Sequence, residues 1–370
     1  MRSGKSSSLK QNRRETNIHT NNFSSSNESR TFCVSMLKSG EAVTYDAKSA
    51  KDILPRIKNV DFTWINFQVD DLPKDGPAVA SELGFSPHII SNLVKQHISS
   101  YEDTDTELGL LLPAVHINEF NVSINKLIIA IRGNVVLTLH DARITRLVKL
   151  SRYATTFFKK IPRNIKTEDK ISYLLVRILE ENNERNFDAI RHLQEQGEIM
   201  SKFLIEPTTQ KKDLGRNIYE MKSALITYLE VLWAALDVIQ YLRYGDAEQI
   251  TNDTRILQRF GLLVADITRQ ISITEQMSTV LASGLEVLQG IYNNQLTILN
   301  NRLSLLAVWL AVLGTAFIVP NTIATVFGTP IGEHLGWRAM LWILALSTVL
   351  SVIIVYLVIR KKHLFPQKME

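Results

Sequence analysis

Two long apolar runs near the C-terminal end of the chain constrain its fold more than any other feature. They extend over residues 303–327 and 339–359, and neither contains a charged side chain. A helix needs about 20 apolar residues to cross a hydrocarbon core about 30 Å thick, so each run is long enough to do so. The sequence therefore predicts two transmembrane helices joined by a short external loop, residues 328–338, with everything before residue 303 on one side of the bilayer.

Basic side chains beside the apolar runs indicate the orientation. A basic cluster at residues 360–362 follows the second run directly, and Arg302 precedes the first. Retained Lys and Arg mark the cytoplasmic side of a membrane, and they outweigh the single Arg338 on the loop side. We therefore predict a multi-pass protein of the cell (plasma or inner) membrane, with both termini cytoplasmic and a basic cytosolic tail at residues 360–370.

The composition before the apolar runs is typical of a cytosolic protein. The chain has one cysteine, Cys33, so it has no intramolecular disulfide, as expected in a reducing compartment. Residues 1–30 are rich in Ser, Asn and basic side chains, and we predict a disordered polar tail. This tail holds most of the formal net charge of +5, so the charge does not indicate a nucleic-acid partner, and we expect none.

Residues 31–165 mix strand and helix patterns, which predicts a cytosolic α/β domain. Ser86-Pro87 predicts the start of a helix that continues through Ile98. No Gly-rich phosphate loop, paired-cysteine metal spacing or nucleophile elbow occurs in the domain, so we expect neither an enzyme nor a bound cofactor. Three strands are predicted: residues 63–69 alternate as in a half-buried strand, and residues 126–131 and 134–140 form a hairpin about Arg132-Gly133.

The next region, residues 166–302, has the apolar spacing of long helices and is predicted to be a helical stalk. Helices are indicated at residues 168–205 and 212–244. A third begins near the capping candidates Asn252 and Asp253, and no residue forces it to end before Val326. At 1.5 Å per residue this helix would be about 110 Å long, so it would leave the membrane and couple the cytosolic body to it.

One face of the first apolar run is polar. Because its members follow one another by three or four residues, they share a single stripe of the helix. The hydroxyl and amide oxygens in the stripe suit a pathway for hydrated ions, but small and hydroxyl residues also pack helices together in bilayers. The pore-lining candidates are Asn301, Ser304, Val308, Ala311, Thr315, Ile318, Thr322 and Thr325.

A pore would require several copies of the chain. Two spans cannot enclose a channel, so the pathway would lie on the symmetry axis of an oligomer. In the loop, a ring of Glu333 side chains would concentrate cations at the mouth, although a solvated carboxylate is the alternative. A second acidic cluster, at residues 102–107, is interpreted as a solvated loop rather than a cation site.

Together these features resemble the CorA family of divalent-cation channels. Residues 134–140 are similar to a strand of that family, and Tyr292, nine residues before Asn301, matches its approach to the pore. The resemblance implies an α/β cytosolic domain, a long-helix stalk and two C-terminal transmembrane helices in a CorA-like funnel. It also implies a homopentamer in the lipid bilayer that passes Mg²⁺ or a related divalent cation. Asp266 falls where some members bind regulatory Mg²⁺, although its neighbour Arg269 offers a salt bridge instead.

The loop after the first span departs from the family pattern. Members usually carry Gly-Met-Asn there, and this chain has Gly328-Thr329-Pro330. Proline has no side-chain acceptor and no backbone donor, so Thr329 and the loop carbonyls would have to meet the hydrated ion. We expect a channel for Mg²⁺, or for Co²⁺, Ni²⁺ or Zn²⁺, driven by the membrane potential. The alternatives are a non-conducting regulatory or structural subunit and a membrane-anchored cytosolic sensor.

Overall fold

The computed structural model describes residues 31–205, 211–245, 247–328 and 336–361 of the 370-residue chain. The contacts divide the chain into two compact units. The first runs up to Ile199 and resumes from Tyr219 to Ser278, and the second comprises Met200–Ile218 and the residues from Thr279 onward.

Three predicted features lie outside the described residues. They are the polar tail at residues 1–30, most of the basic tail at residues 360–370, and the loop residues Thr329, Pro330 and Glu333. For these segments the sequence-based predictions stand as predictions.

Eight α-helices are present among the described residues. Three are longer than 30 residues, and α7 is a single helix of 74 residues. The bounds are α1 (Ala50–Ile53), α2 (Leu72–Glu82), α3 (Pro87–Lys95), α4 (Arg146–Phe158), α5 (Thr167–Ile205), α6 (Lys211–Tyr244), α7 (Thr254–Phe327) and α8 (Trp337–Lys361).

The described part of the first unit also contains a seven-stranded mixed sheet. Its order is β2-β1-β3-β7-β6-β5-β4, in which β3 and β7 are parallel and every other neighbouring pair is antiparallel. The predicted α/β class is thus confirmed. The strands are β1 (Phe32–Leu37), β2 (Ala42–Asp46), β3 (Val60–Gln68), β4 (Ser100–Asp103), β5 (Leu108–Asn118), β6 (Asn121–Arg132) and β7 (Val135–His140).

Strand β3 is buried on both faces, so the prediction of a half-buried strand at residues 63–69 is wrong. On one face Phe62 packs against Phe158 of α4, with ring centroids 4.7 Å apart. On the other face Ile65 belongs to a buried cluster with Leu93 of α3. Polar residues of the segment lie inside the protein: Thr63 Oγ1 donates to the Val34 carbonyl at 3.0 Å, and Asn66 Oδ1 accepts from the Thr138 hydroxyl at 2.7 Å.

The same part of the chain contains one confirmed and one corrected local prediction. Strands β6 and β7 form the predicted hairpin, and Gly133 at its turn has φ of 54°, a left-handed conformation that favours glycine. Helix α3, however, ends at Lys95 rather than Ile98. The Lys126 ammonium donates to the carbonyls of Val94 and Gln96 at 2.6 and 2.7 Å, which satisfies the end of the helix.

The beginning of α7 has the capping contact that the sequence suggests. Asp253 precedes the first helical residue, and its Oδ1 accepts from the backbone N–H of Arg255 at 2.8 Å. The same contacts hold the pKa of the Asp253 carboxyl below its usual value, chiefly through the Arg255 side chain and then through its backbone N–H. The long-helix pattern in the sequence therefore locates this start within two residues.

Three described helices are long and apolar enough to cross a membrane, one more than predicted. The apolar window of α6, with a mean hydropathy of 1.4, is 50% buried within the protein, and Leu225 and Tyr228 lie in its core. The windows of α7 and α8, with values of 2.2 and 2.5, are 0% and 11% buried. Leu310, Phe317 and Trp342 are each at least 70% exposed. Helix α6 therefore contributes to the protein core, whereas the apolar windows of α7 and α8 stay uncovered by the described chain, as a membrane-spanning segment would be.

Candidate functional site

The predicted pore-lining stripe lies along one helix, α7. Its described side chains, Asn301, Ser304, Val308, Ala311, Ile318, Thr322 and Thr325, are all exposed within the chain. Thr315 is helical, but its side chain is outside the description. From residue 301 to residue 325 the helix rises about 36 Å, enough for the stripe to extend across a hydrocarbon core. The described side chains of the stripe are therefore left uncovered by the rest of the described chain.

The two described threonine hydroxyls of the stripe have a fixed polarity. Thr322 Oγ1 donates to the carbonyl of Ile318 at 2.8 Å, and Thr325 Oγ1 donates to the carbonyl of Asn321 at 2.8 Å. A hydroxyl has one proton to donate and two lone pairs that accept. With the proton used within the helix, each oxygen presents only acceptor capacity outward. The first-shell waters of a metal cation point their protons outward, so such a surface matches a hydrated cation.

A proline interrupts the backbone ladder of the same segment. Pro320 lies inside α7 and has no N–H, so the carbonyl of residue 316, four positions earlier, loses its helical donor. In a bilayer an unpaired carbonyl costs several kcal/mol unless a neighbouring helix or water satisfies it. This position is therefore a further place where water or an ion's hydration shell is favoured.

Gly328, the first residue of the predicted selectivity loop, terminates α7. Its N–H is shared between the carbonyls of Ala324 and Thr325, at 3.2 and 3.1 Å. A Cβ at this position would lie 3.3 Å from the Thr325 carbonyl oxygen, so a side chain would crowd the helix end. The correspondence of Gly328 with the glycine of the family motif stays a prediction from the sequence.

Asp266, the predicted regulatory ligand, lies on α7 within the first unit and lines a cavity of about 300 Å³. In the described part of the chain it forms no ion pair, so the expected salt bridge to Arg269 is not observed. The Arg269 guanidinium instead lies over the Phe187 ring, 5.5 Å from its centroid. The remaining lining residues are Arg177, Glu180, Asn183, Glu184, Leu263 and Gln270.

The carboxylates near Asp266 are only partly available to a metal. Glu180 Oε1 forms an ion pair with Arg259 Nη2 at 2.6 Å, whereas Glu184 has no ion pair among the residues that the structure describes. No group of three or more acidic, His or Cys residues in the described segments is arranged to hold a metal. One copy of the chain therefore supplies two carboxylates here, Asp266 and Glu184, and a complete site requires water or a second copy.

The acidic cluster at residues 102–107 is only partly the solvated loop that the sequence suggested: Asp105 is exposed, whereas Asp103 and Glu107 are hydrogen-bonded within the fold. Asp103 Oδ2 accepts from the Tyr241 hydroxyl at 2.6 Å. Glu107 is 6% exposed and accepts from the Ser86 backbone N–H at 2.9 Å. These carboxylates stabilise the strand, turn and helix start around them, so the interpretation from sequence is corrected.

Arg146 is a polar centre that the sequence patterns did not indicate. Its guanidinium donates to the side-chain oxygens of Asn182 and Asn186, both at 2.8 Å, and to the Val115 carbonyl at 2.8 Å. Burial, followed by repulsion from Arg185, lowers the pKa of Arg146 to about 10. The only available sequence signal was the presence of two Asn residues one turn apart on the apolar face of a helix.

The sequence was compared with known proteins and with solved structures. The family described as CorA-like Mg²⁺ transporter protein matches residues 59–361. The complete CorA magnesium transporter from Methanocaldococcus jannaschii is 18% identical with a TM-score of 0.64, over 89% of this chain and 97% of that chain. No curated protein matches the sequence.

Two further structures share the fold. The full-length CmaX protein is 16% identical with a TM-score of 0.59, over 91% of this chain and 99% of that chain. The cytoplasmic domain of ZntB from Vibrio parahaemolyticus is 14% identical with a TM-score of 0.53, over 71% of this chain and 98% of that chain. The predicted combination of an α/β domain, a long helix and C-terminal apolar helices is therefore confirmed.

Proposed function

Because the chain belongs to the CorA-like Mg²⁺ transporter family, we propose that it forms a homo-oligomeric membrane channel for hydrated divalent cations, with Mg²⁺ as the principal ion. The family resemblance favours a pentamer with both termini in the cytoplasm. Each copy contributes two spans, so the conducting path would run along the symmetry axis, between equivalent stripes of α7.

The observation that carries this proposal is the outward acceptor surface of the stripe. The hydroxyls of Thr322 and Thr325 have committed their protons to α7 carbonyls, and the stripe is exposed over its described length. A ring of such acceptors binds the water shell of a cation without removing it. Mg²⁺ gives up its waters reluctantly, so outer-shell contacts are the ones it uses best.

The driving force would be the membrane potential. A divalent ion that enters an inside-negative compartment gains about 4 to 5 kcal/mol per 100 mV, twice the value for a single charge. No energy-coupling motif occurs in the sequence, and the proposed mechanism needs none. The chain is accordingly proposed to be a channel and not an enzyme.

Selectivity would be set at the end of α7. The proposed loop is Gly328, Thr329 and Pro330, with Glu333 attracting cations electrostatically at the mouth. Because Pro330 replaces the usual family asparagine, fewer side-chain acceptors meet the ion there. We therefore propose weaker discrimination between Mg²⁺ and Co²⁺, Ni²⁺ or Zn²⁺ than an asparagine ring would provide.

We propose a regulatory role for Asp266. Its carboxylate, which has no ion pair in the described chain, lines a cavity together with Glu184. Water or a neighbouring copy of the chain would complete the coordination shell of a divalent cation bound there. Internal Mg²⁺ would then favour the closed state. Asp266→Asn is expected to raise the internal Mg²⁺ concentration needed for half-inhibition severalfold. Asp237→Asn, an exposed α6 carboxylate, is the matched control and should leave it unchanged.

The proposal as a whole is tested by cation flux into proteoliposomes that contain the purified chain. Uptake of Mg²⁺, Co²⁺, Ni²⁺ and Zn²⁺ is measured in the presence and in the absence of an imposed inside-negative potential. Potential-driven uptake of one or more ions supports the channel. A protein that assembles as a ring but passes none of them would instead be a non-conducting subunit, and a monomer without flux would favour the membrane-anchored sensor.

A further inference from the structure

A second cavity of about 300 Å³ lies in the first unit, where the β5–β6 hairpin meets α4 and α5. Its volume is about ten times the share of one liquid water molecule, enough for a small hydrated or organic ligand. One carboxylate, Asp188, is among the residues that line it. The four cationic side chains in the lining are Arg143, Arg146, Lys149 and Arg185, and His116 and His192 accompany them.

Arg146 brings a charge to this cavity that no carboxylate of the described segments contacts directly, although Glu181 favours the charged form from a longer distance. Its Nη1 and Nη2 atoms donate to amide and carbonyl oxygens of Asn182, Asn186 and Val115, all of which are neutral. No acidic oxygen lies within ion-pair distance of it in the described segments, and Nε has no acceptor there. Taking a guanidinium out of water without a counter-charge costs several kcal/mol, so its position calls for an anion.

The other cations of the cavity differ in how far they are neutralised. Arg143 pairs with Asp141 at 2.6 Å. Arg185 pairs with Glu181 and Asp188 at 3.5 and 3.6 Å. Lys149 is exposed and has no ion pair within the described ranges. Two cationic side chains at one cavity, Arg146 and Lys149, therefore have no ion pair within the described ranges.

Asn125 supplies the complementary feature. Its side chain lines the cavity, it is only 4% exposed, and its Oδ1 atom has no hydrogen-bond partner. Buried polar atoms are almost always paired, so an unpaired acceptor in a cationic cavity indicates a donor that is supplied by a ligand. The ligand would then carry negative charge and an O–H group together.

We propose that this cavity binds a phosphate group, either inorganic phosphate or the phosphate of a small metabolite. The anionic oxygens accept from Arg146 and Lys149, and the group that donates to Asn125 Oδ1 is the protonated oxygen of hydrogen phosphate or, for a metabolite, one of its own hydroxyl groups. Guanidinium groups suit phosphate because their donors match its oxygens. This site is independent of ion conduction: it lies in the α/β part of the chain and uses none of the residues proposed for the pore or for the Asp266 site.

Sulfate provides a sharp test because it has nearly the same size and shape but no proton at neutral pH. Isothermal titration calorimetry of the full chain in detergent, in metal-free low-salt buffer at pH 7, would compare sodium phosphate, sodium sulfate and AMP. We expect saturable phosphate binding about tenfold tighter than sulfate binding. Tighter AMP than phosphate binding would identify a metabolite as the source, whereas tighter phosphate binding would identify the free ion. If neither phosphate nor AMP binds saturably, the proposal is overturned.

Variants make the assignment specific. Lys149→Gln should weaken phosphate binding at least threefold, whereas Lys159→Gln, about 15 Å further along α4, should not. Asn125→Leu has a similar volume and should abolish the preference for phosphate over sulfate. Thermal melting of each variant confirms that it is folded. Equal phosphate affinity in Lys149→Gln and the parent chain would place the anion elsewhere and overturn the assignment.

Discussion

Thr322 donates its hydroxyl proton to the carbonyl oxygen of Ile318, one turn earlier on α7, at 2.8 Å. Thr325 makes the same contact with Asn321. Because both threonines make this contact, the acceptor character of the stripe does not depend on the rotamer of a single side chain. It is a consequence of placing threonine on an exposed helix face, where the preceding turn is the available acceptor.

Replacing Thr322 separates the hydroxyl from the shape of the side chain. Thr322→Val keeps the volume and removes the oxygen, and the loss of one acceptor per subunit should cost about 1 kcal/mol. This corresponds to about a fivefold lower Mg²⁺ uptake in proteoliposomes. Thr322→Ser retains the oxygen and should conduct within a factor of two of the parent chain. Equal uptake by the valine and serine variants would show that Thr322 packs against a helix instead of lining the path.

The ion pair between Lys170 and Asp61 predicts an asymmetric mutational response. The Lys170 side chain is 7% exposed, and its Nζ lies 2.8 Å from Asp61 Oδ2. Asp61→Asn leaves a buried ammonium without a counter-charge and should lower the free energy of unfolding by about 2–4 kcal/mol. Lys170→Met, which leaves the more exposed carboxylate, should cost less. Urea unfolding followed by circular dichroism measures both, and a larger loss for Lys170→Met would contradict this account.

Gly109 permits the close approach of β5 to α3. A Cβ added there would lie 2.4 Å from Ile89 Cγ2 and 2.8 Å from Leu93 Cδ1. Because Ile89 is β-branched and 6% exposed, it has little room to move, and Gly109→Ala should destabilise the protein by about 1–3 kcal/mol. In a double-mutant cycle, Ile89→Ala should recover part of that loss. Independent, additive costs would mean that the two groups do not compete for the same space.

Cys33 predicts a loss of stability at alkaline pH. It is fully buried, and burial raises the pKa of the thiol, more than its hydrogen bonds with Ser35 and Thr63 lower it. Since the folded pKa exceeds the unfolded one, the contribution is present at neutral pH and is lost as the pH rises above about 9. The stability difference between the parent chain and Cys33→Ala should therefore shrink between pH 8 and pH 10.5. A constant difference across this range would refute the shift.

Long-range sequence periodicity located the long helices well. The starts of α5, α6 and α7 lie within two residues of the predicted ones, because an apolar period sustained over 30 or more residues has few competing explanations. The β6–β7 hairpin could also be predicted from the sequence, because its turn requires the left-handed conformation that Gly133 supplies.

The sheet order could not be read from the chain. Strand β3 pairs with β7 in parallel, with Thr63 opposite Val135, and nothing local to either strand encodes that partner. The half-buried alternation of β3 was misleading because Thr63 is satisfied inside the protein and not by solvent. Hydropathy alone would also admit α6 as a membrane span, whereas its apolar spacing correctly placed residues 212–244 among the stalk helices.

The candidate sites also differ in whether the sequence alone could predict them. The stripe on α7 was predictable because all of its members belong to one helix, and its geometry follows from residue spacing alone. The cavity at Arg146 was not, because its residues come from two strands, a loop and two helices. Only the folded arrangement shows that Asn125 and Arg146 line one cavity and that the Asn125 Oδ1 atom has no partner in the described chain.

The parallel pair of β3 and β7 also sets an order for biosynthesis. When β1, β2 and β3 have left the ribosome, β3 has β1 on one side and an unpaired row of backbone groups on the other. That edge remains open until His140 has been made, which at 5–20 residues per second takes on the order of 4–14 s. During this interval the nascent chain exposes a strand that is buried in the folded protein, and a chaperone that covers β3 would protect it. All seven strands have been synthesised before translation reaches the apolar part of α7, so the sheet can form before that segment is made.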